Sequence, residues 1–453
     1  MRATRISAVI AMCGALLMSG VPAQARAAKA NPPATAPAAG TSLSLADALQ
    51  LALANNLTYQ ASAQDVNAAQ ARVIQAGAGR VPSLSADYSF VHTQNAAFFN
   101  FQVPGPGGKL LNKHIFFSST YLNNVDATLK YALFSGGAIQ AGIGQAAAGL
   151  SAAQSNYAAQ RATVIRDVTS AYFQLIEAQR GTTIADQTVS VATANLKTAN
   201  DGLSAGTLAK ADVLRQEVAL ANAQVRAIQA GASASLANAA LANLLNINLD
   251  SQIQPTEELA AATPSYALGD LLADATSHRN ELGAARAAVD IADAAVRGAR
   301  AGSLPAITLQ VSDASSKPNF ENVPQPQLSE TLAVTWKLID GGLTHGKVAE
   351  ASAEVAKAKI NLKQLSNAVD LEVRQAYFNY AAAQAQVGAT KSAQDAADES
   401  LRVSQIRFKS GVGTSLELAD ALLADATART DYVNAQANLR IALTELQRAA
   451  GLL

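Results

Sequence analysis

An internal repeat constrains the fold of this chain more than any other feature of its sequence. The segment LKYALFSGG at residues 129–137 and the segment AVTWKLIDGG at residues 333–342 end alike, with an aromatic residue, a leucine and a glycine pair at the same spacing. The matching positions lie 205 residues apart: Tyr131 and Trp336, Leu133 and Leu338, Gly136 and Gly341, Gly137 and Gly342. Upstream the offset is 223, as between Pro82 and Pro305. The chain therefore consists of two similar halves, and the difference, 223 − 205 = 18, is an insertion in the first half.

The insertion lies between Pro82 and Gly136 and must occupy a loop. It contains three phenylalanines at 98–101 and a proline- and glycine-rich run at 104–108. The pattern leaves three alternatives open: an outward loop, a cap or a surface turn.

Each half predicts the order helix, strand, strand, helix, helix. The alanine-rich segments 43–78 and 267–301 have a helical pattern and end shortly before a proline, which cannot continue a helix. Polar and apolar residues then alternate with the period of two that is typical of half-exposed strands. The glycine pairs allow the backbone to leave a strand and begin a helix. The predicted strand–helix junctions are Pro82, Gly136, Gly137, Pro305, Gly341 and Gly342.

Long helices are predicted after each glycine pair. Apolar residues, or residues that a helix–helix interface tolerates, recur there every seven residues. The series begins with Val168 and Leu175 in the first half and with Val373 and Tyr380 in the second. This spacing favours left-handed coiled-coil packing, and roughly 64–68 residues would span about 100 Å. Hydrophobic residues make up 49% of the chain but aromatic residues only 5%, which suits thin layers of alanine-rich helices. The predicted fold class is mainly α with a small β part, built from long antiparallel coiled-coil helices.

The four short strands of one chain are too few to close a barrel, and an open amphipathic sheet has unpaired edges. Such edges are excluded from a membrane, because no water satisfies the exposed backbone groups. Eight strands from a dimer would enclose an interior filled by side chains, whereas twelve strands from a trimer would leave a lumen. The polar series of Ser, Asn, Asp, Thr and Lys favours a trimeric 12-stranded transmembrane barrel. Tyr131 and Trp336 are then expected at the membrane interface.

The N-terminal residues predict a targeting segment. Arg2 and Arg5 precede the apolar run 6–18, and the tripeptide Ala-Gln-Ala at 23–25 fits a cleavage site, so residues 1–25 predict a Sec-type signal peptide. A lipid anchor at Cys13 is the weaker alternative, because Met12 stands where a small residue is required. Residues 26–42 predict a flexible segment. The repeat predicts a first unit at 43–260, with a β-hairpin at 83–134 and a helical hairpin at 137–246, and a second at 261–453, with a β-hairpin at 305–339 and a helical hairpin at 342–450.

Charge and motifs argue against nucleic-acid binding, catalysis and cofactors. The formal net charge is zero, and no basic stripe with aromatic residues is present. The segment GLSAG at 202–206 fits the G-x-S-x-G pattern, but a helix rather than a strand precedes it. The four histidines are scattered and Cys13 is the only cysteine, so neither a metal site nor a cofactor is predicted.

Short motifs in both halves resemble the TolC-like outer-membrane efflux family, also called outer-membrane factors. They are ALANNLTYQ and HRNEL at the first helices, RVPSLS and SLPAIT at the helix-to-strand changes, LFSGG and LIDGG after the strands, AYFQL and AYFNY in the long helices, and RFKSGVGTSLELADA at the second tip. The resemblance covers residues 43–453 and implies a homotrimer, with its barrel in outer-membrane lipid and a helical tunnel in the periplasm. It also implies passive conduction within a tripartite efflux or type I secretion system, with a periplasmic adaptor and an inner-membrane pump as partners. The alternative is a soluble periplasmic coiled-coil scaffold without a barrel.

The resemblance also implies where an adaptor would dock. The residues that match the family's tip pattern are Leu203, Gly206, Asp212 and Val213 at the first tip and Gly411, Val412, Gly413, Thr414 and Leu418 at the second. The first tip is the poorer match, because it lacks the Val-Gly-Thr of the second. The alternative is that these residues have no docking role and only form helical turns.

Three acidic residues, Asp395, Asp398 and Glu399, lie two to three turns before the second tip and are candidates for a periplasmic gate. In a three-fold assembly each carboxylate would occur three times around the axis, where like charges repel each other and attract cations. The corresponding positions of the first half are uncharged. The alternative is a solvated face on which the three acids lie beside Lys391 and Arg402.

Overall fold

The described part of the chain consists of long helices and a small antiparallel sheet. The structure is a computed structural model that describes residues 42–93, 98–116, 121–259, 264–318 and 325–453. The predicted signal peptide, the predicted flexible segment up to residue 41 and the boundary predicted between residues 260 and 261 lie outside these residues. Within the described ranges, no helix is long and apolar enough to cross a membrane.

The helices follow the order that the repeat predicts. In the first half they are α1 (Leu45–Asn55), α2 (Leu57–Gly77), α3 (Ala138–Ser204) and α4 (Lys210–Leu244). In the second half they are α5 (Leu268–His278), α6 (Asn280–Ala301), α7 (Leu343–Lys409) and α8 (Ser415–Ala449). Helices α3 and α7 each contain 67 residues, and the returning helices α4 and α8 each contain 35. The predicted mainly α fold with long antiparallel helices is confirmed.

The first helix predicted in each half is in fact two helices. The break between α1 and α2 lies at Asn56, whose Oδ1 accepts from the Tyr59 amide at 3.0 Å while its Nδ2 donates to the Leu244 carbonyl at 3.1 Å. The corresponding break between α5 and α6 lies at Arg279. Neither position is a glycine or a proline, although asparagine, as at Asn56, is a residue type that often caps the start of a helix.

The glycine pairs begin both long helices. Gly136 and Gly137 have φ angles of +62° and +91°, and Gly341 and Gly342 have φ angles of +65° and +88°. Such left-handed conformations are open to glycine and strained for other residues. The chain therefore leaves each strand segment by the same backbone turn.

Polar side chains cap both long helices. The Ser135 Oγ accepts from the Ile139 amide at 3.2 Å. The Asp340 carboxylate accepts from the amides of Gly342 and Thr344 at 3.0 and 2.8 Å. Hydrogen bonds from Thr344 and then Gly342 lower the pKa of the Asp340 carboxyl.

The strands are β1 (Ser42–Leu43), β2 (Ser83–His92), β3 (Phe98–Pro104), β4 (Leu110–Phe116), β5 (Tyr121–Phe134), β6 (Gln254–Pro255), β7 (Ala306–Pro318) and β8 (Gln325–Thr335). Four of them form one antiparallel sheet in the order β2, β5, β7, β8. Strands β1 and β6 form a short parallel pair, and β3 pairs with β4 as a separate hairpin within the insertion.

The strand register separates an apolar face of the sheet from a polar one. Tyr131 of β5 lies opposite Leu309 of β7, which lies opposite Leu332 of β8. On the other face, the aligned residues are Thr128, Ser312 and Ser329. The apolar face is uncovered, since Leu332 is 63% exposed. The alternation in the sequence therefore corresponds to two chemically different faces of one sheet.

Strand β8 is shorter than the alternation predicts. The pattern placed Trp336 and Leu338 within the strand, but β8 ends at Thr335. In this register Trp336 would stand opposite Pro305, which directly precedes β7 and has no amide hydrogen to donate. The Trp336 indole N–H instead donates to the Ser303 carbonyl at 3.1 Å.

The helices pack side by side in an order that changes along their length. Near the sheet the contacting helices follow the order α2, α3, α6, α7, and toward the tips they follow the order α4, α3, α8, α7. Among the described residues, α2 and α4 therefore form one edge of the helical layer, and α7 forms the other. Three clusters of buried side chains hold this arrangement, and they include Tyr172, Leu175 and Leu241, then Leu271, Val373 and Leu446, and finally Val213, Leu401 and Leu418 near the tips.

Candidate functional site

The second helical tip is a tight loop, residues 410–414, that joins α7 to α8. The amides of Val412 and Gly413 both donate to the Arg407 carbonyl, at 3.0 and 2.9 Å. A side chain at position 413 has no room, because its Cβ would lie 2.9 Å from both the Arg407 Cβ and the Phe408 amide nitrogen. The glycine at this position is therefore required by the close approach of the backbone.

The two tips differ in the cap of the returning helix. At the second tip, the Thr414 Oγ1 accepts from the Glu417 amide at 3.1 Å, and the Glu417 carboxylate accepts from the Thr414 amide at 3.3 Å. At the first tip, the Asp212 carboxylate accepts from the Ala209 amide at 3.2 Å. Ala209 has no side-chain oxygen that could accept a hydrogen bond from the Asp212 amide, so only half of a capping box is formed. The missing Val-Gly-Thr of the first tip therefore corresponds to a weaker cap.

The candidate docking residues divide into exposed and buried positions. At the second tip, Val412 is 68% exposed and Gly411 is exposed too. At the first tip, Gly206 is exposed. Val213 and Leu418 are buried, at 0% and 1% exposure, in the cluster below the tips. The other candidate positions are partly exposed or form the turn: Leu203, Asp212, Gly413 and Thr414. A partner could therefore touch the loops, whereas the buried residues set the position of those loops.

A hydrogen-bonded clasp joins the two tips, and no sequence motif pointed to it. The Ser415 Oγ donates to the Asp212 Oδ1 at 2.6 Å and accepts from an Arg215 guanidinium nitrogen at 2.9 Å. The Gln216 side chain, fully buried, donates to the Ser415 carbonyl at 2.9 Å. Ser415, on α8, thus holds α4 through three side chains.

Two of the candidate gate acids are paired within α7. Asp395 forms an ion pair with Lys391, and Glu399 forms one with Arg402 at 2.6 Å. The hydrogen bond with Asp395 raises the pKa of Lys391, and the hydrogen bond from Arg402 lowers the pKa of Glu399. Both charges are therefore compensated on an exposed helix face.

Asp398, the third candidate, connects two helices. An Arg429 guanidinium nitrogen lies 2.7 Å from the Asp398 Oδ1, and the Arg429 Nε donates to the Asp425 Oδ1 at 3.0 Å. Asp425 is 5% exposed, and burial, followed by its hydrogen bond with Asp398, raises the pKa of Asp425 to about 6. The sequence prediction missed Asp425 and Arg429. The sequence did contain a signal for them: Asp425 and Arg429 continue, at helical spacing, the apolar stripe that starts with Leu418 and Leu422. Charged residues are rare on such a face.

A groove runs between α4 and α8 above the tips, with α3 as its floor. Its two adjoining parts, of about 260 and 320 Å³, share Thr188 and Arg226. The α4 wall carries Arg215 and Arg226, and the α8 wall carries Asp420 and Asp431. Small side chains line much of the rest: Gly181, Ala185, Ala219, Ala223, Ala230, Ala419 and Ala426. Such a lining admits a close helical partner.

The junction residues lie where the helices and the sheet meet. Pro82 and Pro305 directly precede β2 and β7. A Cβ at Gly136 would lie 2.8 Å from the Ala301 carbonyl oxygen, whereas a Cβ at Gly341 would meet nothing within 4 Å. The two candidate interface aromatics lie near this level: Tyr131 is partly exposed and Trp336 is 57% exposed.

The weak catalytic motif lies in a helix end. Ser204 of GLSAG is the last residue of α3, and its Oγ donates to the Asn200 carbonyl at 2.9 Å. In the described ranges, no group of three or more His, Cys, Asp or Glu side chains is arranged to hold a metal ion.

Comparison with known proteins identifies relatives over most of the chain. The sequence model named outer membrane efflux protein matches residues 48–246 and 271–452. Protein CyaE of Bordetella pertussis is 28% identical over 337 residues, which are 73% of this chain and 71% of CyaE. The solved outer membrane protein VceC of Vibrio cholerae has a TM-score of 0.74 at 20% identity, covering 90% of this chain and 96% of VceC. The open state of the Neisseria gonorrhoeae outer membrane channel MtrE has a TM-score of 0.71 at 20% identity, covering 90% of this chain and 89% of MtrE.

Proposed function

The chain belongs to the outer membrane efflux protein family, and from this premise we propose that three copies form an outer-membrane channel with a periplasmic helical tunnel. The sheets would close into a 12-stranded barrel in the lipid, and the helices would enclose a continuous water-filled duct. Conduction would be passive, and an inner-membrane pump with a periplasmic adaptor would supply the energy and the cargo. The predicted signal peptide would direct export of the chain.

The observation that carries this proposal is an exposed apolar stripe on each edge of the helical layer. On α4, exposed apolar side chains recur at helical spacing: Leu214, Val218, Val225, Ile228 and Leu236. On α7, at the opposite edge, the exposed apolar side chains include Ile360, Leu371, Phe378, Val403 and Ile406. Large contiguous apolar patches on a protein surface mark sites of association. If α4 of one copy packs against α7 of the next, both stripes are buried at once.

The sheet supports the same closure. Strands β2 and β8 are its edges, and each presents unpaired backbone groups on one side. Pairing β8 of one copy with β2 of the next removes every edge, which is the condition for a sheet in lipid. The apolar face would then meet the lipid, and the face with Thr128, Ser312 and Ser329 would line the lumen. Cyclic symmetry allows one contact to close the helices and the sheet together.

Docking of the adaptor is proposed at the tips and in the groove above them. In the tip loops, Gly206, Gly411 and Val412 are exposed and accessible to a partner. The buried Val213 and Leu418 hold these loops in place from below. The groove between α4 and α8 continues this surface with basic and acidic walls. Opposite charges on the two walls favour one orientation of a partner helix over the reverse.

A gate near the inner end is proposed at the acidic residues of α7. Asp395 and Glu399 each have a cation of their own, Lys391 and Arg402. Asp398 shares Arg429 with Asp425, so its charge is less fully compensated and it is the strongest candidate. Three copies of Asp398 around an axis would repel each other and attract cations. Its pairing with Arg429 ties that ring to α8.

Membrane fractionation and channel recording test the proposal. The full-length protein should require detergent for extraction, migrate as a trimer and produce single channels in planar bilayers. Release of a monomer by washing without detergent would instead favour the soluble scaffold and overturn the proposal. Deletion of the gene together with its neighbouring pump gene would reveal the cargo through the compounds that become toxic.

A further inference from the structure

Asp425 is an acidic residue placed where the packing of α8 calls for an apolar one. It continues the stripe of Leu418 and Leu422, which are 1% and 4% exposed, and is itself 5% exposed. A buried carboxylate is costly unless its charge is compensated or removed. The partners of Asp425 therefore decide how the helix packs.

The partners of Asp425 are a second carboxyl group and one guanidinium. Asp425 of α8 and Asp398 of α7 meet at the same guanidinium group, that of Arg429. Arg429 binds both acids, at 3.0 Å from the Asp425 Oδ1 and at 2.7 Å from the Asp398 Oδ1. Two carboxylates and one guanidinium carry a net charge of −1. Two ionised carboxylates that share one cation repel each other, and a proton bound to one of them removes that repulsion.

No further charge from the packed elements compensates the pair. The cavity of about 410 Å³ beside it is lined from α3 by uncharged residues: Ile184, Gln187, Thr188, Ser190 and Val191. Lys391 of α7 acts on Asp398 from a distance but is bound to Asp395, and Arg402 is bound to Glu399. On α8, Arg429 is the only charge that lowers the pKa of Asp425. A proton is therefore the ligand that completes the cluster.

We propose that Asp398 and Asp425 form a proton-binding site that holds α7 against α8 near the second tip while one proton is shared, and that loosens this contact when the proton leaves. With the proton bound, both contacts to Arg429 coexist without repulsion between the two carboxyl groups. Loss of the proton restores the repulsion between two carboxylates that share one cation. Asp398, the more exposed of the two, then moves toward water.

The consequence for conduction rests on the proposed function, because it requires α7 to line the tunnel near its inner end. Acid would then hold the inner end in the packed state described here, and neutral conditions would free Asp398 to join the ring of charges. The proton site itself does not depend on channel formation, so the two ideas can fail separately.

Hydrogen exchange of the full-length protein in detergent tests the proton site. After correction for intrinsic exchange rates, peptides within 391–430 should lose about tenfold in protection between about pH 5 and about pH 7.5. The Asp425→Asn variant keeps a hydrogen bond but cannot ionise, so its protection should be nearly the same at both values. The matched control is Asp420→Asn, which removes an exposed charge from the same helix and should behave like the parent protein.

Protection that does not change with pH in the parent protein would overturn the proposal without any variant. Equal pH dependence in the parent protein and in Asp425→Asn would also overturn it. A pH-dependent protein that forms no channel in bilayers would remove the proposed function and leave the proton site standing. A protein that forms channels but whose protection does not change with pH would remove the proton site and leave the proposed function standing.

Discussion

Arg279 donates a hydrogen bond of 2.9 Å to Glu372, and this pair joins the start of α6 to the middle of α7. The Arg279 side chain is only 6% exposed and also binds Glu281 at 3.0 Å and the Ala449 carbonyl at 3.0 Å. Arg448 approaches Glu372 from α8. One buried guanidinium therefore holds together three helices of the second half of the chain, α6, α7 and α8.

Replacement of Arg279 by alanine should strongly destabilise the protein. It leaves the Ala449 carbonyl and part of the Glu372 charge without a donor, and breaking such a buried pair typically costs about 3 kcal/mol. Arg374→Ala is the matched control, because Arg374 pairs with Asp370 on an exposed face of α7 and should leave stability unchanged. Urea unfolding followed by circular dichroism measures both variants. Equal midpoints for the two would show that the Arg279 contacts contribute little.

A charge on the α4 stripe should prevent assembly. Ile228 is 73% exposed in the single chain and would be buried against the neighbouring α7, where an unpaired carboxylate is costly. The Ile228→Glu variant should therefore lose most of its trimer. Ser233→Glu adds the same charge at an exposed position of α4 that lies about 90° around the helix from the centre of the stripe, and it should still assemble. Size measurement in detergent compares them, and a stable Ile228→Glu trimer would exclude this helix edge from the contact.

Much of the fold could be predicted from the sequence, because its signals are periodic and occur twice. The glycine pairs, the prolines before β2 and β7 and the alternation of the strands each describe a local backbone preference. The breaks at Asn56 and Arg279 were missed because neither residue is a glycine or a proline. At Asn56 the side chain caps the following helix, whereas at Arg279 no side-chain hydrogen bond caps it. The early end of β8 was missed because the alternation of apolar and polar residues continues past Thr335 to Leu338.

The candidate site was only partly predictable. The turn at Val412 and Gly413 is local, so its motif could be read from the sequence. The clasp at Ser415 and the partnership of Asp398 with Asp425 join residues of different helices. A charged residue in an apolar stripe was visible in the sequence, but its partner depends on how α7 and α8 are aligned.

A missing cap can be supplied at the first tip. Ala209 has φ −83° and ψ 156°, the extended conformation of a helix cap residue. The Ala209→Thr variant would complete a capping box with Asp212 and should stabilise the tip by about 1 kcal/mol. Ala211→Thr, at an exposed position inside α4, gains no such bond. Hydrogen exchange of the peptide 209–216 should slow in the first variant only, and equal exchange in both would contradict the cap assignment.

The two glycine junctions should respond differently to the same substitution. Both Gly136 and Gly341 have positive φ angles, so alanine at either position costs roughly 1–2 kcal/mol of backbone strain. At Gly136 the added Cβ also meets the Ala301 carbonyl at 2.8 Å, whereas at Gly341 it enters open space. Gly136→Ala should therefore lower the yield of folded protein and the unfolding temperature much more than Gly341→Ala. Equal losses would mean that only the backbone angle matters.

The stability of the protein should fall between about pH 4 and pH 6 because of Asp425. The pKa of this carboxyl is raised to about 6 in the fold, against about 3.9 in an unfolded chain. In that interval the folded state binds more protons than the unfolded state, so the free energy of unfolding decreases as the pH rises, by about 3 kcal/mol in total. Asp425→Asn cannot ionise and should lack this decrease, whereas Asp420→Asn should keep it. Urea unfolding at a series of pH values measures the three curves, and a parallel course for Asp425→Asn and the parent protein would assign the titration to another group.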